Sequence, residues 1–398
     1  MIEYDPFSLE VMTDPLPAYR ALRDAGRAYA LPRYDAWALS HFDDVWQVLQ
    51  DRERFSIAEG PIFGRDRVLR ANTEPPSTDV ARPIRTFSTI DPPVHTKLRR
   101  AMLPPFLPRA VAQLETDVRA HTRALLDELV ARGRFDAVGD LASPIAAAAT
   151  CRVLGLAVRD LAALVRLVNT ITRRVPGEPG ISAAGRGAQV ELHELLTAFA
   201  ADARDRHGMV DMLAAYDTGD DTALSDSEIA VQLATLLVGG TETLPKIVAG
   251  GLLRLSQHPH QRAALAADPS LAADAFGEVL RLEAVLQWVG RTLLVDAEIA
   301  GQQMRAGQRV FLLLVSANHD EREFADPERF DIRRRFSRSL VFGHGVHVCI
   351  GAHAARLVGR VMLQEVLACA PEYRIDPTGI ERPPSEFQIG YTAMAVMC

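Results

Sequence analysis

Apolar residues recur three and four positions apart through most of the chain. Two long examples, AVAQLETDVRAHTRALLDELVARG and QVELHELLTAFAADARDR, predict amphipathic helices because this spacing lines one helix face. Stretches 15–26 and 42–51 follow the same rhythm over a shorter length and predict short helices. The helical portion is therefore expected at about 94–290 and 351–370.

Strand patterns occupy a smaller part of the chain. AYALPRYDAWALS alternates around a turn, TLLVDAEIAGQQMRAGQRVFLLL is divided by two glycines, and FQIGYTAMAVM is typical of a strand. These segments predict a β-rich portion at about 27–60, 292–314 and 380–398. Because neither a repeat nor a low-complexity linker divides the sequence, residues 1–398 are expected to form a single domain.

The composition excludes several classes of protein. The chain has 398 residues, 48% of them hydrophobic, and a net charge of −7, which argues against a nucleic-acid partner. No uninterrupted apolar run has the length of a membrane span, and the N-terminus lacks a signal-peptide pattern. Its cysteines (Cys151, Cys349, Cys369 and Cys398) have no regular spacing, so we expect a reduced cytoplasmic protein without disulfides.

The first candidate for chemistry is the loop FGHGVHVCIG at 342–351. Its three glycines leave the backbone around Cys349 free to approach another group closely. One cysteine as the only protein ligand suits haem iron, because the porphyrin supplies the four in-plane ligands. The sequence that follows, GAHAARLVGRVMLQEVL, predicts a helix start, where the helix dipole favours a thiolate.

Two other interpretations of this loop stay open on the residues alone. Four side chains have the right chemistry for zinc, although they are crowded into one cluster; they are His344, His347, Cys349 and His353. Alternatively, Cys349 is a buried structural cysteine in a tight loop.

The second candidate is SDSEIAVQLATLLVGGTETLPKIVAGGLLRL. Ser225 and Glu228 predict a capping box at the start of a long helix. Pro245 cannot donate a helical hydrogen bond, which predicts distortion at 239–245. Glu242 and Thr243 form an acid–alcohol pair suited to proton relay. The alternative is that Thr243 bonds its own helix and Glu242 is solvated.

Further charged residues are grouped at helical spacing. DPPVHTKLRR places His95 and Arg99 on one helix face, where both could bind a carboxylate. EVLR places Glu278 three residues before Arg281, and Arg329 in PERF is a possible third member of a buried ion cluster.

Together these motifs resemble the cytochrome P450 family, in particular its soluble bacterial members. FGHGVHVCIG is similar to its haem loop, GGTET to its oxygen-binding motif, and EVLR, PERF and DPPVHTKLRR to further segments in the same order. The resemblance implies the cytochrome P450 fold, mainly α with a small β portion. It also implies haem b (iron protoporphyrin IX) between the long distorted helix at about 225–257 and the Cys349 loop.

The resemblance also assigns residue roles. Cys349 would be the axial ligand of the haem iron, and Glu242 and Thr243 the catalytic pair that delivers protons. The haem-binding residues would be His95, Arg99, Arg291, Phe342, Gly343, His347, Cys349 and Gly351. The structural ion cluster would be Glu278, Arg281 and Arg329. The substrate pocket would be lined by Phe87, Leu236, Leu237, Gly240, Val285, Leu286, Trp288 and Ile389.

The function implied is that of a monomeric monooxygenase that inserts one atom of O₂ into an apolar small molecule, such as a terpenoid, lipid or steroid-like compound. Electrons would come from NAD(P)H through a ferredoxin reductase and a ferredoxin. The docking patch would comprise Arg99, Arg100, Arg338, Arg356 and Arg360, helped by the RRRFSR run at 333–338. The alternatives are a haem-binding sensor without turnover and a zinc-dependent hydrolase built on the histidine cluster.

Overall fold

The computed structural model describes residues 3–69, 74–78, 83–174, 180–202, 208–216 and 223–398. Its α-helices are α1 (Leu9–Thr13), α2 (Leu16–Ala25), α3 (Phe42–Gln50), α4 (Arg65–Val68), α5 (Val94–Met102), α6 (Pro108–Ala112), α7 (Glu115–Ala131), α8 (Ser143–Leu154), α9 (Leu161–Thr172), α10 (Ala183–Asp202), α11 (Met209–Ala214), α12 (Asp226–Gln257), α13 (Pro259–Ala267), α14 (Ala272–Leu282), α15 (Leu314–Asn318) and α16 (Ala352–Cys369). Its strands are β1 (Ala28–Leu31), β2 (Ala36–Leu39), β3 (Phe55–Ser56), β4 (Arg134–Asp136), β5 (Val289–Leu293), β6 (Ala297–Ile299), β7 (Gln302–Met304), β8 (Arg309–Leu312), β9 (Arg374–Glu381) and β10 (Ala393–Met397).

The larger sheet has five strands in the order β1-β2-β8-β5-β3. Strands β2 and β8 are parallel and the other neighbouring pairs are antiparallel. One side of this sheet packs on an aromatic core that includes Tyr19, Phe63, Trp288 and Phe311. A second sheet, β4-β10-β9, joins the C-terminus to the helical part, and β6 with β7 forms a hairpin.

Helix α12 is the longest element and packs against α8, α10 and α16. It starts with the predicted capping box, in which the Ser225 side chain and Glu228 bond each other's backbone. The helix continues through Pro245, so the predicted distortion is limited to the hydrogen bond that proline cannot donate to the Thr241 carbonyl. Segments 137–154 and 226–257 are apolar enough to span a membrane, but most of each is buried inside the protein, as expected of core helices.

The predicted mixture of a large helical part and a small β part is confirmed. Helices α2 and α3 fall where the short periodic stretches predicted them, and the long periodic examples correspond to α7 and α10. The short strand β4 was missed because three residues are too few to show alternation. The last β portion begins at Arg374, earlier than predicted, with a bulged pairing between β9 and β10.

Candidate active site

The cysteine loop has the close backbone approach that its glycines predicted. Gly345 has φ +72°, and a Cβ atom there would lie 2.2 Å from the Leu49 carbonyl oxygen. The loop is closed by the Cys349 N–H, which donates to the Phe342 carbonyl over 2.9 Å. Helix α16 begins at Ala352, directly behind the cysteine. The loop therefore holds Cys349 at a helix N-terminus, as predicted.

The Cys349 thiol is accessible at its surface and has protein packed closely around it. The residue is exposed, yet burial is the main influence on the thiol and raises its pKa. This pKa is lowered by a hydrogen bond from the Gly351 backbone and by the guanidiniums of Arg99 and Arg356. A metal cation at the sulfur would complete the stabilisation of the thiolate.

A cluster of hydrogen-bond donors lies beside this loop. The rings of His95 and His347 are 4.0 Å apart between centroids. Three buried ring nitrogens have no hydrogen-bond partner within the described part of the chain. They are Nδ1 and Nε2 of His95 and Nε2 of His347. Arg291 is also buried, and over the described ranges it donates only to the adjacent Gly290 carbonyl.

The chemistry of this donor cluster fits the carboxylates of haem. Burial is the main reason that the pKa of His95 falls to about 4 and that of Arg291 to about 10, and neighbouring cations contribute to the fall at His95. Buried donors that repel one another need an anion between them. Two propionates would supply it, and Arg99 is close enough to influence the pKa of both histidines. The residues that the sequence predicted as propionate ligands are therefore together in space.

The zinc alternative is contradicted by the positions of its four side chains. His344 stacks on Trp46 with 3.4 Å between ring centroids, and its Nε2 contacts the Gln50 amide. His353 is exposed on α16. Across the described ranges, no three His, Cys, Asp or Glu side chains are grouped as a metal site.

Glu242 and Thr243 lie on α12, and their surroundings contradict the two alternatives given for them, namely a solvated Glu242 and a Thr243 hydroxyl bonded to its own helix. Glu242 is buried rather than solvated, and its carboxylate contacts the Lys246 ammonium and accepts from Gln388 over 2.9 Å. A threonine in a helix commonly donates to the carbonyl four residues before it, as Thr150 on α8 does. In the described structure the Thr243 hydroxyl makes no such bond, so it is free to bind a ligand.

Three of the predicted pocket residues, Phe87, Leu236 and Leu237, are buried in one apolar cluster. The Phe87 ring stacks 6.3 Å from the His95 ring. Gly239, one turn before Thr243, has open space where a Cβ would be. The face of α12 that carries Gly239 therefore has open space one turn before Thr243.

Two other pocket predictions are wrong. A Cβ at Gly240 would lie 2.4 Å from the Thr150 hydroxyl, so this glycine permits close packing of α12 on α8. Trp288 is enclosed by Phe63 and Phe311, and its indole N–H donates to the Glu386 carbonyl over 3.0 Å. Both residues are needed for packing rather than for contact with a substrate.

The remaining predicted pocket residues stay predictions. Leu237 and Val285 are buried in helical cores, and Leu286 is half-buried beside the sheet. Ile389 is held near Val285 by its own N–H, which donates to the Val285 carbonyl over 2.8 Å.

Gln232 positions the Phe87 loop and was missed by the sequence analysis. Its fully buried amide accepts from the Phe87 N–H over 2.8 Å and donates to the Arg85 carbonyl over 3.0 Å. Four residues earlier on α12, Glu228 accepts from the Ile84 N–H over 2.7 Å. The i, i+4 spacing of two long polar residues was the available signal, but the loop they bind is about 145 residues away in sequence.

The buried ion cluster exists with a different third member. Glu278 accepts two bonds from Arg281, at 2.8 and 2.9 Å, and both side chains are fully buried. The third cation is Arg334, whose Nε lies 3.0 Å from Glu278. The prediction of Arg329 is wrong, because Arg329 is exposed and its N–H closes a turn to Asp326.

Part of the predicted basic patch is engaged inside the molecule. Arg338 contacts Asp43 at 2.9 Å and also Glu323, and Arg360 contacts Glu115 at 2.7 Å. In the part of the chain that the structure describes, Arg99, Arg100 and Arg356 have no carboxylate partner. The patch available to a redox protein therefore contains fewer unpaired arginines than the sequence predicted.

Comparison with known proteins gives a consistent result. The cytochrome P450 family model matches residues 270–386. Cytochrome P450 130 of Mycobacterium tuberculosis is 31% identical over 94% of this chain and 92% of its own length. Vitamin D(3) 25-hydroxylase of Pseudonocardia autotrophica is 31% identical, with 93% of this chain and 90% of that protein covered. A mutant of P450 EryK in complex with erythromycin B is 28% identical, with TM-score 0.83 and 97% of each chain covered.

Proposed function

Because this chain belongs to the cytochrome P450 family, whose members are haem b monooxygenases of small molecules, we propose that it inserts one atom of O₂ into an apolar substrate and takes its electrons from a ferredoxin. The observation that carries this proposal is the Thr243 hydroxyl, which has no hydrogen-bond partner among the described residues and follows a buried, ion-paired Glu242. A haem sensor without turnover has no need of an acid and an alcohol at this position.

The protein's contribution to cofactor binding comes from three places. Cys349 would ligate the iron through its sulfur, and His95, Arg99, Arg291 and His347 would bind the propionates. When bound, a haem-thiolate centre activates O₂ because the thiolate donates electron density that favours cleavage of the O–O bond. The Phe342 carbonyl and the Gly351 backbone fix the sulfur in position.

The protein must also deliver protons while it excludes bulk water. Thr243 would donate a hydrogen bond from its hydroxyl to the oxygen that leaves as water. Glu242 would resupply that hydroxyl with a proton, because it is the acid nearest in sequence and is buried on the same helix. The apolar surroundings formed by Phe87 and Leu236 limit the entry of water from the substrate side.

We propose that the substrate is a bulky apolar molecule. Phe87 and Leu236 are apolar and buried, and a pocket of this kind favours hydrophobic ligands. The names of two relatives agree with this class, since one is a vitamin D(3) hydroxylase and another was crystallised with erythromycin B.

We also propose that an acidic ferredoxin docks beside the Cys349 loop. Arg99 and Arg356 both influence the pKa of the Cys349 thiol, and these two cations close to the cysteine support the proposed docking site. Arg100 is exposed on the same helix as Arg99. A small cationic patch would guide an acidic partner to the site even though the whole chain has a net charge of −7.

The test is the replacement Thr243→Ala in the haem-loaded enzyme, assayed with a hydrophobic substrate that gives a spin-state shift. We expect most electrons from NAD(P)H to appear as hydrogen peroxide, because the hydroxyl no longer delivers a proton to the correct oxygen. The matched control is Thr241→Ala, on the same turn. An unchanged product yield per NAD(P)H in Thr243→Ala would refute the proposed role.

A further inference from the structure

Lysine is almost absent from this protein. Lys and Arg together number 44, and only Lys97 and Lys246 are lysines. Lys97 is exposed on α5. The Lys246 side chain is only 13% exposed and lies one helical turn after Glu242 on α12. One of the two lysines is therefore next to the acid of the proposed active site.

Lys246, Glu242 and Gln388 form a closed ring of polar contacts. The Lys246 ammonium contacts Oε1 of Glu242 and donates to the Gln388 side-chain oxygen over 2.9 Å. The Gln388 amide nitrogen donates to Oε2 of Glu242 over 2.9 Å. Both carboxylate oxygens are therefore bound by protein donors, and the contact with Lys246 is charge-assisted.

Gln388 is a rigid partner because its own backbone is fixed. Its carbonyl accepts from the Gln287 side chain, and residue 388 pairs with Leu286 in an isolated β-bridge. The Lys246 stem is also confined, since a Cβ at Gly390 would lie 2.9 Å from the Lys246 Cβ. The ring is thus fixed on one side by α12 and on the other by the C-terminal segment.

The ring borders a cavity of about 630 Å³ between α9, α12 and residues 381–392, with both charged and apolar side chains in its wall. Glu242, Lys246 and Gln388 line it together with Arg174. Thr243 is not among the described residues that line this cavity. Glu242 therefore lies at the wall of the cavity, whereas the adjacent hydroxyl belongs to another face of the helix.

We propose that Lys246 and Gln388 are positioning residues that hold the Glu242 carboxylate at the wall of this cavity, from which it collects the proton that it passes to Thr243. Waters of the cavity carry a proton from bulk solvent to a Glu242 oxygen, and the neutral acid leaves the ring. It donates this proton to the Thr243 oxygen as the Thr243 hydroxyl gives up its own proton, and the carboxylate then returns to the ring. The contact between Lys246 and Gln388 stays in place throughout. The inference rests on the proposed monooxygenase function.

The first experiment tests the ring without turnover. The haem-loaded protein is labelled with ¹³C at the lysine ε carbon and studied by NMR as the reduced carbon monoxide complex. Because the sequence has two lysines, two signals are expected, and Lys97→Met assigns them. We expect Glu242→Gln and Gln388→Leu each to shift the Lys246 signal and to leave the Lys97 signal in place. If the Lys246 signal moves in neither variant, the ring does not exist and the inference is overturned.

The second experiment tests the consequence for proton delivery. Lys246→Met and Gln388→Leu should each raise the fraction of electrons lost as peroxide at least threefold and increase the solvent isotope effect on product formation. The dissociation constant of the substrate, measured by its spin-state shift, should stay within twofold. Arg382→Met is the matched control, because Arg382 lines the same cavity without touching the ring, and it should behave as wild type.

The outcomes separate this inference from the proposed function. If Thr243→Ala diverts electrons to peroxide but Lys246→Met and Gln388→Leu do not, the ring is only structural and the inference fails while the function stands. If Thr243→Ala has no effect either, the proposed function fails and the inference fails with it.

Discussion

Replacement of Arg334 by Met should destabilise the fold far more than the same replacement at Arg329. Arg334 is 14% exposed and bonds the carboxylate of the fully buried Glu278. Without Arg334, the described partners of this carboxylate would be Arg281 and the more distant Asp331 N–H. Removal of one partner from a buried ion pair costs about 3–5 kcal/mol. Arg334 also donates to three carbonyls of the 325–329 turn, but water can replace those exposed bonds. We therefore expect a loss of about 4 kcal/mol in the free energy of unfolding.

The control Arg329→Met should change the free energy of unfolding by no more than about 0.5 kcal/mol, because its side chain is exposed. Arg334→Lys should lie between the two, since an ammonium retains the charge without the planar fork of donors. The measurement is urea unfolding of the haem-loaded protein, followed by far-UV circular dichroism and by haem absorbance. Equal midpoints for Arg334→Met and Arg329→Met would refute the assignment of Arg334 to the cluster.

Three further predictions concern other sites. Gln232→Leu leaves a buried N–H and a buried carbonyl unpaired, so the free energy of unfolding should fall by about 2 kcal/mol and substrate affinity should change; unchanged urea midpoints and spin-state titrations would contradict this. Gly345→Ala should prevent stable haem retention, because its Cβ would lie 2.2 Å from a carbonyl oxygen. Gly343→Ala has open space for its Cβ and should cost only the strain of a positive φ, about 1–2 kcal/mol. The haem content of the two purified variants checks this. Burial lowers the pKa of His319 to about 3 in the folded protein. Below pH 6.5 the unfolded chain binds a proton at this histidine and the folded protein does not, so the free energy of unfolding decreases as the pH is lowered. At pH 5.5 the wild type should have lost about 1.4 kcal/mol more than His319→Gln relative to pH 7.5, and equal losses by urea unfolding would count against the idea.

The features that could be predicted from sequence are those set by short spacings. The capping box at Ser225, the Glu278–Arg281 pair and the helix start after Cys349 each depend on residues within four positions. Local geometry fixes these contacts wherever the element packs.

The errors occurred where tertiary packing chooses among equivalent residues. Several arginines follow the PERF segment, and the path of the 325–334 loop decides that Arg334 rather than Arg329 reaches Glu278. Gly240 has no side chain to indicate its neighbour, and only the approach of α8 shows why a glycine is needed. The Glu242–Lys246 contact was readable as an i, i+4 pair, whereas its third member, Gln388, lies 146 residues away.

The way in which α12 holds the Phe87 loop has an evolutionary consequence. Gln232 and Glu228 bond three peptide groups of the loop, namely the N–H of Ile84, the carbonyl of Arg85 and the N–H of Phe87. A contact that recognises the main chain is indifferent to which side chains the loop carries. Substitutions in the loop can therefore change the shape of the pocket while the loop stays attached at the same height on the helix. The arrangement lets substrate range diversify by point mutation without disturbing the residues that carry out the chemistry.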